Sequence, residues 1–143
     1  MILLDSNVLV YALNRDMPQY PACRDVVQRA MLGRVDGVVF PQVLMEFFAT
    51  VTSRRLAPRP VPPADAMRRV DDWRNTLDVR YPTRQCLDEF TMLVEQAPRA
   101  GQAVHDIFLA AQMRTHGIAE ICTANGADFA GIPGIEVRSP ESL

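Results

Sequence analysis

The first twelve residues, MILLDSNVLVYA (1–12), contain the pattern on which the fold prediction depends. The run Met1–Leu4 has the length and apolar character of a buried strand, and Val8–Leu13 has the pattern of a short helix. Asp5 stands directly after the strand, and Ser6 or Asn7 is a candidate helix N-cap. We therefore predict a buried strand that ends at a carboxylate and leads at once into a helix.

Strands and helices alternate along the rest of the chain. The predicted helices are Pro21–Leu32, Pro41 to about Arg55, Ala64–Leu77, Thr83 (as N-cap) to about Ala97, and Ala103–His116. The further predicted strands are Val38–Phe40, Val79–Tyr81 at a sheet edge, Ala119–Thr123 and Ile135–Val137. This order predicts an α/β fold in one domain, residues 1–143, with a mainly parallel central sheet covered by helices on both faces.

The segment Leu56–Pro63 interrupts this alternation. Four of the eleven prolines lie in it, at positions 58, 60, 62 and 63, and we predict a stiff irregular connector. Two interpretations stay open, a solvated loop and a segment that docks a partner. Nearby, Arg54, Arg55 and Arg59 form a local basic patch that either faces solvent or holds phosphates.

Composition excludes several classes of function. Of the 143 residues, 48% are apolar and 22% charged, which is typical of a globular domain that needs neither disulfides nor a structural metal. Fifteen basic residues, all of them Arg, against seventeen acidic ones give a net charge of −2. The chain therefore has no general positive field to attract nucleic acid, and any such contact must be local.

Cysteine usage and hydropathy predict the compartment. Cys23, Cys86 and Cys122 are odd in number and lack C-x-x-C spacing, which argues against a disulfide framework and a zinc site. The short apolar N-terminus carries no signal-peptide core, and polar residues interrupt the most apolar stretch before it reaches membrane-spanning length. We expect a soluble cytoplasmic protein without membrane contact.

Five polar residues fall at positions where an α/β sheet collects ligands. Asp5 follows the first strand, while Asn125 and Asp128 follow the strand that ends near Thr123. Glu46 has Gln42 and Thr50 as its polar neighbours at helical spacing, and the three make one narrow polar stripe on an apolar helix. Asp106 lies in the first turn of its helix, whose expected apolar face is Val104, Ile107, Phe108 and Ala111.

Each of these residues has a simpler explanation when it is taken alone. Asp5, Asn125 and Asp128 suit turns, Glu46 suits a stripe facing water, and Asp106 suits the helix dipole. Taken together, they would meet along one edge of the sheet, where carboxylates about 4 Å apart repel by roughly 4 kcal/mol at an effective dielectric of 20. Oxygen ligands without His or Cys favour Mg²⁺ or Mn²⁺, and such a site predicts phosphodiester hydrolysis.

The sequence resembles the PIN-domain ribonucleases, especially the VapC-type toxins of toxin–antitoxin pairs. The resemblance spans nearly the whole chain and depends on several motifs in order. These are residues 1–12, Glu46 within Val43–Val51, the HDIFLAA motif at 105–111 with HG at 116–117, TANGADF at 123–129, and GIEVRSP at 134–140.

The resemblance implies a three-layer α/β/α sandwich and an endoribonuclease that depends on Mg²⁺ or Mn²⁺. It implies that the catalytic and metal-binding residues are Asp5, Glu46, Asp106 and Asp128, and that Ser6, Asn7, Thr123 and Asn125 support them or contact substrate. It also implies an RNA substrate, a cognate antitoxin protein and a homodimer. Many members of the family have Asp where Asn125 stands, which leaves the number of metal ions open, since an amide neutralises no charge.

Two other functions remain to be distinguished. In phosphatases and phosphotransfer domains that use an aspartyl-phosphate, an Asp after the first strand is itself the nucleophile. The phosphatases of this class need a second acid two residues later, where this chain has Asn7. The other alternative is a catalytically silent PIN-like module that binds RNA or protein.

Overall fold

The computed structural model describes residues 1–57 and 59–143, and in this part of the chain strands and helices alternate as predicted. The strands are β1 (Ile2–Leu4), β2 (Gly37–Val39), β3 (Asp78–Val79), β4 (Glu120–Cys122) and β5 (Glu136–Arg138). The helices are α1 (Ser6–Tyr11), α2 (Tyr20–Met31), α3 (Pro41–Thr52), α4 (Pro63–Thr76), α5 (Cys86–Gln96) and α6 (Val104–Thr115). Short 3₁₀ turns cover Gly101–Ala103, Gly126–Phe129 and Pro140–Ser142.

All five strands are parallel and their spatial order is β3-β2-β1-β4-β5. The chain moves outward from β1 to β2 and β3, and then returns through α5 and α6 to β4 on the other side of β1. Right-handed crossovers place the helices of the two halves on opposite faces of the sheet, which gives the expected α/β/α layers. The order therefore reverses between β1 and β4, and parallel sheets bind ligands at the carboxyl ends of such strands.

The register at this reversal point brings two polar residues side by side. Leu4 pairs with Cys122, so the next residues, Asp5 and Thr123, leave the sheet next to each other. The Asp5 backbone N–H donates to the Cys122 carbonyl at 3.0 Å and extends the ladder by one step. The strands that support these residues are buried, and helices close over them.

The helices bury their apolar sides around the sheet. Helix α3 turns Val43, Phe47 and Val51 inward, and the Phe47 ring packs edge-on against Trp73 of α4 with centroids 4.4 Å apart. Helix α6 is buried on more sides than the predicted face, because Leu109, Ala110 and Met113 are also buried. It is an internal helix rather than a surface one, so a single apolar face underestimates its burial.

Several predicted boundaries differ from the structure by one to three residues. Helix α1 begins at Ser6 rather than Val8, and its N-cap is Asp5, not Ser6 or Asn7, because the Asp5 carboxylate accepts from the Ser6 backbone N–H. Helix α3 ends at Thr52 rather than Arg55, since Ser53 is extended. Helix α4 begins at Pro63, because proline fits the first turn of a helix, where no backbone N–H is needed. Thr83 does not cap α5, which starts at Cys86 after a turn, and the Thr83 hydroxyl is buried without a hydrogen-bond partner among the described residues.

The remaining connector prediction is confirmed in part. Residues 53–57 and 59–62 contain turns and irregular backbone, while Pro58 lies outside the described residues.

The glycines predicted to stop two helices, Gly33 and Gly117, have left-handed backbone, since both have φ of 67°. No helix in residues 1–57 or 59–143 is both long and apolar enough to span a membrane.

The three cysteines are buried and free, in agreement with the absence of a predicted disulfide framework. Burial raises the pKa of the Cys122 thiol to about 12, and the neighbouring Cys23 thiol adds to this effect. At neutral pH these side chains are protonated and pack as small apolar groups rather than as metal ligands.

Gly37 in β2 is the point where the sheet comes closest to α2. A Cβ at this position would lie 2.8 Å from the Ala30 Cβ, well inside van der Waals contact. We expect Gly37→Ala to lower the free energy of unfolding by about 1–3 kcal/mol, since overpacking a tight core forces its neighbours to move. The melting temperature should fall by several degrees. Adding Ala30→Gly should recover part of the loss, and a Gly37→Ala protein as stable as wild type would contradict this packing.

Candidate active site

Asp5 lies at the centre of a hydrogen-bonded network at the carboxyl ends of β1 and β4. Its side chain is only 6% exposed. One carboxylate oxygen accepts from the Ser6 backbone N–H at 2.6 Å and from the Ser6 hydroxyl at 3.3 Å. The other accepts from the Asn7 amide and the Thr123 hydroxyl, both at 2.7 Å. The position after the first strand thus carries a buried and fixed carboxylate.

Asn7 and Thr123 join the two strand ends across the reversal point. The Asn7 side-chain amide also donates to the Thr123 hydroxyl at 2.9 Å, and the Asn7 carbonyl oxygen accepts from the Ala124 backbone N–H at 3.0 Å. The Thr123 hydroxyl accepts a further bond from the Asn125 backbone N–H at 3.0 Å. Residues that are 116 positions apart in the chain therefore hold one another, with Asp5 between them.

Burial raises the pKa of the Asp5 carboxyl above its usual value of 3.8. The hydrogen bonds from Thr123 and Ser6 oppose this rise, and the charge of Glu46 adds to it. The hydrogen bonds favour the ionised form, whereas the lack of solvent and the nearby negative charge disfavour it. Asp5 is therefore a carboxylate that a cation would stabilise.

Glu46 projects from the middle of α3 as part of the predicted polar stripe. The Gln42 amide one turn earlier donates to the Glu46 carboxylate at 2.8 Å and to the His105 backbone carbonyl of α6 at 3.0 Å. Glu46 and Thr50 are both partly buried. Gln42, the first residue of the stripe, thus contacts the start of α6, and Glu46 and Thr50 are only partly exposed to water.

Asp106 stands in the first turn of α6, where the sequence predicted it. Its pKa is raised to about 6 by burial and then by the charges of Asp128, Asp5 and Glu46, in that order, while Arg99 opposes the rise. Three other carboxylates, from distant parts of the chain, therefore act electrostatically on Asp106. These influences are consistent with the expected grouping of Asp5, Glu46, Asp106 and Asp128, whose action as one site stays a prediction.

Asn125 and Asp128 close the site from the loop after β4. Asp128 lies in the Gly126–Phe129 3₁₀ turn, and its carboxylate accepts from the Asn125 side-chain amide at 2.7 Å. Both side chains are exposed. The amide at position 125 therefore acts as a hydrogen-bond donor that fixes the neighbouring carboxylate.

The chemistry of these donors fits a hydrated divalent ion. Every candidate group is an oxygen donor, and none of the ion pairs between described residues involves Asp5, Glu46, Asp106 or Asp128. Across residues 1–57 and 59–143, no three His, Cys, Asp or Glu side chains are close enough to enclose an ion by themselves. Mg²⁺ suits such an open site, since it keeps several waters and is usually held by one or two carboxylates together with substrate phosphate.

Two residues near the site were not found from the sequence. Arg99 lies close enough to Asp106 to lower its pKa, and its guanidinium donates to the Ala130 backbone carbonyl at 2.8 Å. Gln112 of α6 donates to the side-chain oxygen of Gln42 at 2.7 Å and is completely buried. The position of Gln112 inside the apolar run 107–113 could have indicated a buried polar role. The sequence around Arg99 has no pattern that indicates a place near the site.

Comparisons with known proteins agree with this architecture. A family model described as PIN domain matches residues 2–134. The chain is 30% identical over 146 residues to ribonuclease VapC33 of Mycobacterium tuberculosis, covering 98% of each protein. Two solved structures share the fold at lower identity.

The first of these structures is a toxin–antitoxin complex from Klebsiella pneumoniae, which is 18% identical and superposes with a TM-score of 0.63 over 100% of both chains. The second is Mycobacterium tuberculosis VapC20, described as a sarcin-ricin loop cleaving toxin, which is 14% identical with a TM-score of 0.67 over 94% of this chain and 98% of that one. With a family model that covers almost the whole chain and a relative at 30% identity, the protein belongs to the PIN-domain family and, within it, to the VapC ribonucleases.

Proposed function

We propose that this protein is a divalent-metal-dependent endoribonuclease and the toxin of a toxin–antitoxin pair. The observation that carries the proposal is the buried Asp5 carboxylate, held by Ser6, Asn7 and Thr123 at the β1–β4 reversal point, together with the charges of Asp128, Asp5 and Glu46 that act on Asp106. The relative VapC33 is named a ribonuclease, and VapC20 is described as cleaving the sarcin-ricin loop. RNA is therefore the proposed substrate.

Asp5 and Asp106 would be the principal ligands of Mg²⁺ or Mn²⁺, with Glu46 and Asp128 completing the negative site. When bound, the ion would activate a water for attack on the phosphodiester and offset the negative charge of the transition state. Asn7, Ser6 and Thr123 fix the Asp5 carboxylate through the bonds described above. This fixation keeps the ligand from turning away when substrate enters.

Residues at the edge of the site would position the RNA. Arg99 is the cation that acts on Asp106, and guanidinium groups bind phosphate through paired N–H donors. The overall charge of −2 supplies no long-range attraction for RNA. Binding of the RNA phosphates would therefore depend on such local contacts. Asp128, fixed by Asn125, lies exposed where a substrate strand can reach it.

The geometry disfavours the aspartyl-phosphate alternative. A nucleophilic Asp must present a free oxygen to the phosphorus, but both oxygens of Asp5 accept two hydrogen bonds each and the side chain is buried. The partner acid that such phosphatases require is replaced by Asn7, which bonds Asp5 directly.

The direct test of the proposed function is cleavage of a labelled single-stranded RNA by purified protein. We expect discrete products with Mg²⁺ or Mn²⁺, and loss of cleavage in excess EDTA that is restored by adding Mn²⁺. RNA binding without cleavage under any divalent ion would favour the silent module instead. Sequencing the cut ends of total cellular RNA would then identify the target.

A protein partner is the second part of the proposal. Two grooves on the surface are bordered by exposed apolar side chains. Met45 (67% exposed) and Tyr81 (64%) border a groove of about 400 Å³, and Met45 and Leu87 (67%) border one of about 470 Å³. The Klebsiella pneumoniae neighbour is a toxin–antitoxin complex, and we propose a cognate antitoxin and a homodimer for this chain as well. Sedimentation of the protein alone and after coexpression with a candidate antitoxin measures both.

A further inference from the structure

Gln112 is a completely buried polar side chain in the middle of α6. Its neighbours Ala111 and Met113 are buried apolar residues. Its side-chain oxygen has no hydrogen-bond partner within residues 1–57 and 59–143. Burying an amide with an unsatisfied oxygen costs stability, so the reason for glutamine at this position must lie elsewhere.

The amide of Gln112 begins a short chain of hydrogen bonds that leads to the active site. It donates to the side-chain oxygen of Gln42 at 2.7 Å, and the Gln42 amide donates to the Glu46 carboxylate at 2.8 Å. The same Gln42 amide donates to the His105 carbonyl at 3.0 Å. Asp106 follows His105, so the chain of bonds ties the helix that carries Glu46 to the helix that carries Asp106.

Only one direction of these bonds is consistent with the acceptors at the far end. An ionised Glu46 and the His105 carbonyl can only accept, so Gln42 must turn its NH₂ group toward both. Its oxygen then faces Gln112, which must present NH₂ in turn, and the Phe108 carbonyl at 3.5 Å gives that group a second, weaker acceptor. Turning either amide over would place oxygen against oxygen. Gln112 therefore fixes which end of Gln42 reaches Glu46.

We propose that Gln112 is a positioning residue which, through Gln42, holds the Glu46 carboxylate in place relative to Asp106. The inference rests on the proposed function, because it assigns Glu46 to the reacting site. A glutamate has several rotatable bonds, and a fixed donor restricts them before substrate or metal arrives. Groups that orient a ligand in this way commonly change activity by about 10- to 100-fold when they are removed.

The test is Gln112→Met, which keeps the length of the side chain and removes its hydrogen bonds. We expect kcat to fall about tenfold or more while KM for RNA stays within about twofold. Because the unsatisfied oxygen is also removed, the melting temperature should stay the same or rise. Gln19→Met is the matched control, since Gln19 also has a buried oxygen without a partner in the described chain and takes no part in the hydrogen bonds of Gln42 described above. Its kcat should equal that of wild type.

Two further measurements separate positioning from a general structural role. In a Glu46→Ala background, Gln112→Met should cause no additional loss of rate, because its effect passes through Glu46. In the metal-free protein, the Gln42 side-chain amide protons should be shifted by their bonds and should move toward free-glutamine positions in the NMR spectrum of Gln112→Met. Gln42→Met should reproduce the loss of rate, and it serves as the second variant if Gln112→Met does not fold.

The inference is overturned if Gln112→Met has wild-type kcat, if it slows the Glu46→Ala protein by the same factor, or if the Gln42 amide signals do not move. These outcomes leave the proposed function standing when wild type cleaves RNA and Glu46→Ala cleaves it measurably but much more slowly. Absence of cleavage by wild type contradicts the proposed function instead, and the NMR comparison still decides whether Gln112 orients Gln42.

Discussion

Asp5→Asn should reduce RNA cleavage by at least about a thousandfold, near the upper end of what the loss of one transition-state charge contact costs. The substitution keeps the shape of the side chain and removes its negative charge. It also places an NH₂ group opposite the Asn7 amide or the Thr123 hydroxyl, both of which donate to the carboxylate at 2.7 Å. The substitution should lower the affinity for a divalent ion and leave the side chain at position 5 less firmly held.

Initial rates on a labelled RNA at saturating Mn²⁺ measure the effect. Asp88→Asn is the matched control, since Asp88 is an exposed carboxylate in the first turn of α5 and should retain full activity. Circular dichroism should show a folded Asp5→Asn protein. Cleavage that persists in Asp5→Asn at the wild-type rate would mean that another site, or a contaminating nuclease, performs the reaction.

Asp106→Asn should lose cleavage to a similar extent and yet stabilise the metal-free protein. The Asp106 carboxyl is raised from 3.8 to a pKa of about 6 by burial and by three other carboxylates, so at pH 7.5 its charge is forced into an unfavourable place. A full shift of this size corresponds to about 3 kcal/mol, but Asp106 is partly exposed and solvent screens the charges. We expect about 1 kcal/mol, or roughly 3 °C in melting temperature.

The pH dependence of this gain has a definite sign. Asp106 binds more protons in the folded state than in the unfolded state between the unfolded pKa near 3.8 and the folded value of about 6. The ionised Asp106 carboxyl therefore lowers the free energy of unfolding by its full amount above about pH 6, and this effect disappears as the pH falls toward 4. Thermal melts in EDTA at pH 7.5 and 4.5 should show the advantage of Asp106→Asn shrinking at the lower pH.

Divalent ions should favour the wild-type protein over Asp106→Asn in melting temperature. Adding Mn²⁺ at pH 7.5 should raise the melting temperature of wild type more than that of Asp106→Asn, because a ligand that binds only the folded state stabilises it. Equal stabilisation of the two proteins by Mn²⁺ would argue that Asp106 is not a ligand.

The elements that locate the site could be read from local sequence. A four-residue apolar run followed by Asp5, and a single polar stripe through Glu46, are short-range patterns that reflect burial directly. The parallel sheet and its reversal point followed from the alternation of strands and helices. Of the residues that the family resemblance selected, Asp5, Ser6, Asn7 and Thr123 are joined by hydrogen bonds at the carboxyl ends of β1 and β4.

The details that failed depend on long-range packing. Thr83 has the composition of an N-cap, but the backbone turns for two more residues before α5 begins at Cys86. Gln112 was hidden because its partner, Gln42, is 70 residues away, and only the packing of α3 against α6 brings them together. Arg99 reaches the site from the loop before α6, whose path no local pattern specifies.

The pairing of Leu4 with Cys122 places Asp5 and Thr123 at the ends of two interior strands of the sheet. Amide groups there, such as that of Asp5, should exchange with solvent deuterium only when the whole molecule opens. Substitutions in the surrounding loops and helix ends can therefore change the surface around Asp5 without weakening β1 and β4, whereas a substitution that weakens the pairing of these two strands lowers the stability of the whole fold.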